Sequence, residues 1–415
     1  MILSSKRQNA YNEVMSTSNK SRRIRAGAAF AAMAIAIALM PLLNTVFGCP
    51  FCAKLGKTLT DYASESQGIF VCEWRDQSWL IRETLKNPPH ATMSLSTKSL
   101  TKPATGSAIK LLVFSKIKGQ ALEPFRTITI RDNSLIEYLR ESANDSLQIA
   151  HDKLGFYFRN LNASDPLISD DAYKSIAKLN TAEIQAASIQ LDRKQLRQWI
   201  SESPARAERI GLYGLLLGLC GDTQDADFLH DLASRDDQQV QFADGKAGFL
   251  GGLTVLDFDR GVALALTILN DKKRNESSRR AALGALQFAI TEMPRIDPFP
   301  IFEKMEPALQ FADIGPLVID EMRKGAYARS AKEIVRLGRE SKSTAIRAAA
   351  IRFALTFATE DTPAFLEGIR TSNPQSLVDA EQLLRFEKNL MLNPPRLQRK
   401  KPAAPQKSSI QAGKH

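Results

Sequence analysis

The chain has 415 residues, 44% hydrophobic and 24% charged, proportions of ordinary globular protein with length for more than one core. Its formal net charge of +11 suggests nucleic-acid binding until the charges are located. Residues 1–48 carry +5 and residues 391–415 carry +6, so the body between them is neutral, has no concentrated basic face for phosphate, and is expected to take no nucleic acid as partner.

The opening of the chain runs from charge to apolar stretch to cysteine pair. Arg22, Arg23 and Arg25 precede an apolar run from Ala26 to Met40, a break at Pro41, and a Val46-Phe47-Gly48 junction that ends at Cys49-Pro50-Phe51-Cys52. Val46 and Gly48 are modest enough for a signal peptidase, so residues 1–48 are expected to be a signal peptide cleaved before Cys49. An uncleaved N-terminal anchor with its arginines on the cytoplasmic side is the alternative, and lipidation of Cys49 is a third outcome. The expected location is extracytoplasmic, periplasmic or secreted, with membrane contact only through the N-terminal segment or a lipidated Cys49.

Residues 49–140 read as a small β domain. Short β-branched or alternating runs at Ile69–Cys72, Met93–Thr97, Ile109–Ile117 and Thr127–Ile130 are separated by turn formers at Asn87-Pro88-Pro89, Pro103–Gly106 and Lys118-Gly119. The pattern predicts an antiparallel sheet or small barrel. Trp79–Leu85 suits either a short helix or another strand.

From about Leu135 the apolar period becomes helical and stays so to Leu390. Breaks fall at Asp165-Pro166, Ser203-Pro204, Gly221-Asp222, Asn270-Asp271, Met293-Pro294, Gly315-Pro316, Glu360–Pro363 and Asn373-Pro374. Three helices share an opening, at Ala205–Arg209, Ser278–Leu283 and Ile346–Ile351, and their arginines Arg206, Arg279 and Arg347 recur at twice the ~35-residue length of a helical pair. After an acidic turn, a Phe-Leu anchor follows two of them, at Phe228-Leu229 and Phe365-Leu366. A single helix pair cannot bury both of its apolar stripes, so neighbouring pairs are expected to stack, with small Ala residues where helices approach closely. The Arg-Ala-Ala openings at Arg279–Ala282 and Arg347–Ala350 resemble HEAT-like repeats, which implies an α-solenoid over residues 145–390 that is least regular between Gln238 and Asp259. The tail 391–415, rich in Pro, Lys and Gln without periodicity, is expected to be disordered. The expected fold class is α+β and predominantly α, a small N-terminal β barrel or sheet followed by a HEAT-like α-solenoid.

Of the four cysteines, Cys220 closes the run Leu215–Leu219 and reads as a buried apolar thiol. Cys49, Cys52 and Cys72 are disulfide candidates in an oxidising compartment, where a bridge from Cys72 to Cys52 or Cys49 would pin the mature N-terminus onto the sheet. With Cys49 lipidated, Cys52 would be left to pair with Cys72. The Cys49/Cys52 pair also has the spacing of a thiol-disulfide redox motif, although it follows the signal directly instead of a strand. Zinc held by Cys49, Cys52, Cys72 and His90 lacks a second close cysteine pair. His90, His151, His230 and His415 are scattered, and His230 beside Asp227 and Asp231 reads as a surface histidine. Asp257-Phe258-Asp259 reads as a helix start capped by Asp259, and Gly248-Phe249-Leu250-Gly251-Gly252 lies in apolar helical surroundings that do not suit a phosphate loop. No catalytic, cofactor or metal site is expected.

Cys49-Pro50-Phe51-Cys52 after a signal, the strand ending Lys116-Ile117-Lys118-Gly119, and the run Asp165–Tyr173 together resemble a group of secreted planctomycete proteins of unassigned function. The resemblance implies export, a small β domain joined to HEAT-like helices over residues 49–390, and no known catalysis. The β domain is also loosely similar to netrin-type, OB-like modules, whose protease-inhibitor branch uses an N-terminal cysteine against a target's zinc; this chain has Cys-x-x-Cys where that branch has Cys-x-Cys. The functional expectation is an exported, non-enzymatic binding or scaffolding protein whose solenoid groove takes another protein or an extracytoplasmic polymer. The alternatives are a thiol-redox protein acting through Cys49/Cys52 and a netrin-like protease inhibitor.

Overall fold

The structure, a computed structural model, describes residues 56–90, 93–102, 109–143, 150–202, 207–235, 245–293 and 297–392. Cys49, Cys52, the N-terminal apolar run, Pro103–Gly106, Ser203-Pro204, Arg206 and the tail from residue 393 lie outside the described residues.

A short helix, α1 (Leu59–Glu65), precedes the sheet. It begins at Thr58, whose side chain accepts from the Asp61 amide while the Asp61 carboxylate accepts from the Thr58 amide, so two orphan donors are satisfied reciprocally. Four antiparallel strands follow, β1 (Gly68–Arg75), β2 (Ser78–Lys86), β3 (Lys110–Lys118) and β4 (Ala121–Ile130), in spatial order β2-β1-β3-β4. Trp79–Leu85 is therefore a strand, and the sheet is open, with β2 and β4 at its edges. Two-residue turns close both hairpins. Asp76 and Gln77 have φ of 50° and 60°, and Gly119 has φ of 64°, the left-handed backbone that matches the twist of the flanking strands.

Met93–Thr97 is not a strand. Leu95 makes one isolated bridge to Leu122, and a 3-10 turn follows at Thr97–Ser99. Its apolar residues serve burial without extended pairing: Leu95 and Leu100 cover Phe70, Cys72, Trp79, Val113 and Leu122 on the outer sheet face. The alternate residues, Ile69, Val71, Leu112, Phe114, Ile128 and Ile130, point the other way and belong to the same hydrophobic cluster as the helices. That two-sided cover explains why Ile69-Phe70-Val71-Cys72 is buried at every position.

The helical region begins with α2 (Ser134–Ser142), α3 (Ala150–Asn160), α4 (Pro166–Ala177), α5 (Thr181–Ala186) and α6 (Arg193–Glu202). Consecutive helices follow: α7 (Ala207–Cys220), α8 (Thr223–Ser234), α9 (Lys246–Leu256), α10 (Phe258–Asn270), α11 (Glu276–Glu292), α12 (Phe299–Met305), α13 (Gly315–Lys324), α14 (Ala331–Glu340), α15 (Thr344–Thr356) and α16 (Thr362–Ser372). α17 (Pro374–Leu392) is the last helix among the described residues. α9 packs on α7, α8, α10 and α11, and α15 packs on α13, α14, α16 and α17, the neighbour-to-neighbour pattern of a solenoid. Arg279 and Arg347 open α11 and α15, and α9 and α13 are the intervening first helices, so the spacing of two units read from the arginines is the observed one.

Cross-repeat bonds give the period independently. Arg260–Asp227, Arg279–Asp313 and Arg352–Asp320 join residues 33, 34 and 32 apart. Arg279 and Arg347 also donate to loop carbonyls just before their own helices, Arg274 and Ser341 respectively. The cap of α10 is Asp257, which accepts from the Arg260 amide, and not Asp259, which lies inside the first turn. A carboxylate two residues earlier reaches the free amides, whereas Asp259 already has helical backbone.

The tightest seam is made by glycine. A Cβ at Gly248 would meet the Gly211 carbonyl, one at Gly252 the Gly214 carbonyl, and one at Gly218 the Gly252 backbone. Alanine was expected at such approaches and is found in α11 and α15, where Ala282, Ala285, Ala349 and Ala350 are buried. Between α7 and α9 even a methyl is too large. Gly248→Ala should destabilise the protein by about 3 kcal/mol through overpacking, whereas Gly284→Ala, in α11 with nothing within 4 Å of an added Cβ, should stabilise it by about 0.5–1 kcal/mol. Urea titration of the two variants measures both; equal effects would contradict a backbone-tight seam.

Candidate functional site

Cys72 lies on β1 facing Phe70, Trp79 and Val113, is 0% exposed, and carries a free thiol. Burial pushes that thiol up to about 11. Cys220 ends α7 half-buried, not fully buried, with burial and then the Asp225 carboxylate pushing it up to about 12. Cys49 and Cys52, the two other disulfide candidates, lie outside the described residues. His90 is exposed, and among the described residues no group of three or more His, Cys, Asp or Glu could hold a metal ion. The two carboxylates near His230 are engaged by arginines, Asp231 by Arg235 and Asp227 by Arg260. No described helix is long and apolar enough to cross a membrane.

A cleft opens where the sheet meets the first helices, with a volume of about 620 Å³, within the ~300–1,000 Å³ range of small-molecule sites. Six elements contribute. The walls come from α1 with its N-cap (Thr58, Thr60, Asp61, Ala63), from β1 and β2 (Ile69, Leu85, Lys86), from α2 (Leu139, Arg140), from α3 (Lys153, Tyr157) and from α4 with its C-cap (Ser175, Lys178). Helical geometry explains the pairing: Lys153 and Tyr157 are four residues apart on one face of α3, and Ser175 and Lys178 are three apart at the end of α4.

Beneath the cleft, one buried carboxylate ties three helices together. Asp171, 2% exposed on α4, accepts from the Leu59 amide of α1 and from the Tyr138 hydroxyl of α2 at 2.7 Å. Burial raises its carboxyl above the usual range even though both hydrogen bonds pull it down. Asp61, nearer the mouth, behaves oppositely: burial pushes it up, but hydrogen bonds from Lys178 and Thr58 outweigh that and hold it low. Burial raises the Tyr157 phenol, against the neighbouring Ser175 and Thr60 hydroxyls.

The lining carries four cations, Lys86, Arg140, Lys153 and Lys178, and one carboxylate, Asp61. Lys178 pairs with Asp61, Arg140 pairs with Glu83 outside the lining, and Lys86 donates to the Ala63 carbonyl at 2.8 Å. Lys153, half-buried, has no ion-pair or hydrogen-bond partner among the described residues. Ser175 is 7% exposed, and its Oγ sits beside Tyr157 without closing a well-formed hydrogen bond. None of these residues stood out in the sequence, because they are brought together from distant segments with no common spacing. The one readable local signal was the Thr58-x-x-Asp61 cap, which marks a helix start.

Compared with protein-family models, with curated proteins and with solved structures, the chain matches none.

Alkylation tests the environment of Cys72. In the folded protein with reductant present, Cys72 should label with iodoacetamide at pH 8 more than roughly 100-fold more slowly than in urea, because it is buried and protonated. Fast labelling of the folded, reduced protein would show that the thiol is not held in the sheet; protection that reductant abolishes would instead report a bridge to Cys49 or Cys52.

Proposed function

We propose that the chain is an exported, non-enzymatic binding or scaffolding protein whose helical stack docks another protein or an extracytoplasmic polymer. The N-terminal segment, with its arginines ahead of an apolar run and a small-residue junction, supports export. The helical pairs support docking, because cross-repeat Arg–Asp bonds and a continuous core make them one stiff surface.

The observation that carries the reading is the end of that surface. α17 buries Leu377 and Ala380 against the stack but leaves Val378, Leu383 and Phe386 exposed, Phe386 at 59%. An internal helix of the series has its next neighbour on that side. A second apolar side chain, Ile189, is 86% exposed in the 3-10 turn before α6. Large exposed apolar side chains at the end of a repeat array are the type of anchor that protein interfaces bury.

Photo-crosslinking in the native host tests this. With benzoylphenylalanine in place of Phe386, the protein recovered from outside the cytosol should begin at Cys49 and carry a discrete adduct with a second protein or a polymer. Full-length protein retaining Met1 in the cytosol, with no adduct from position 386 or position 189, would refute it.

A further inference from the structure

We propose that the cleft between the sheet and the first helices binds an organic monocarboxylate with an apolar body, its carboxylate held by Lys153 with the Ser175 and Tyr157 hydroxyls. The proposal does not depend on docking by the helical stack, which uses other residues.

Charge sets the head group. Lys178 and Arg140 have carboxylate partners in Asp61 and Glu83, and Lys86 donates to the Ala63 carbonyl, so Lys153 is the lining cation without an acceptor among the described residues. An ammonium without an acceptor takes a carboxylate oxygen as its charge-assisted hydrogen-bond partner. Hydrogen bonding sets the geometry. Lys153 and Tyr157 project from the same face of α3, and the buried Ser175 hydroxyl stands next to Tyr157. A buried hydroxyl without a partner forgoes a favourable hydrogen bond, and a carboxylate has acceptor sites for both hydroxyls and the ammonium. Shape sets the body. Ile69, Leu85, Leu139 and Leu179 give the cleft an apolar wall, which an alkyl or aryl group covers and acetate does not.

Calorimetry on the full mature chain with octanoate, 1-octanol, acetate and inorganic phosphate tests the assignment. Octanoate should bind one to one and at least about tenfold more tightly than 1-octanol, the expected margin for a charge-assisted hydrogen bond. Acetate and phosphate should bind more weakly than octanoate. Lys153→Met keeps the side-chain bulk and should weaken octanoate about tenfold while leaving 1-octanol unchanged. Ser175→Ala removes a hydroxyl that bonds nothing well in the protein, so it should weaken octanoate about threefold without lowering the melting temperature. Equal affinity for octanoate and 1-octanol, tighter binding of phosphate, or octanoate affinity unchanged in Lys153→Met and Ser175→Ala would each overturn the proposal.

Discussion

The inner face of the sheet has no core of its own. Ile69, Val71, Leu112, Phe114, Ile128 and Ile130 belong to the same buried cluster as the helices that cover them, whereas the outer face has a smaller cluster around Cys72. α1 and α2 supply the contact, with Leu59, Leu135, Ile136 and Leu139 in the same cluster and Tyr62 against Phe114 at 5.9 Å between ring centres. Asp171 then fixes both helices to α4. A buried carboxylate is costly without acceptor-satisfying donors, so the amide and the phenol that meet it also fix where α1 and α2 sit. The cleft follows from this geometry. It is lined beside this junction by Thr60 and Asp61 of α1, Leu139 and Arg140 of α2, Lys153 and Tyr157 of α3 and Ser175 of α4, with Ile69 and Leu85 of the sheet.

The stack from α7 onward obeys a different constraint. Each pair depends on its neighbour for burial, so spacing between first helices must be kept from one unit to the next. Glycine sets it between α7 and α9, alanine sets it in α11 and α15, and arginine sets the lateral register by bonding one repeat length away. Near the end, Arg352, Asp320, Arg323 and Glu387 form a polar chain through α13, α15 and α17. Arg323 is almost fully buried yet bonded to two carboxylates, which is the condition under which an interior charge is tolerated.

The sequence made the class and the punctuation legible, since both are local. Asp165-Pro166, Asp222 and Asn373-Pro374 start helices because capping carboxylates, amides and prolines act within one turn. The unit length was legible from Arg279 and Arg347 because their role, tying off the preceding loop, repeats with the fold. Met93–Thr97 was misread because β-type patterning reports alternating burial, and Leu95 obtains that from a face it merely covers. Gly248 and Gly252 were recognised as helical but not as a seam, since their meaning depends on Gly211 and Gly214 across the interface. The cleft was not legible at all: Asp61, Lys86, Lys153, Ser175 and Lys178 acquire a common site only through long-range packing.

Tryptophan placement allows the shared core to be tested directly. Trp74 and Trp79 meet edge to face in the sheet hairpin at 5.4 Å, and Trp199, on α6, packs between Phe158 and Tyr213. Urea unfolding followed by fluorescence in Trp199→Phe reports the sheet, and in Trp74→Phe/Trp79→Phe reports the helices. If sheet and helices stand on one core, the two curves, each referred to its own variant's circular-dichroism transition, coincide. A sheet signal that melts at lower urea while the helical signal remains native would contradict the account.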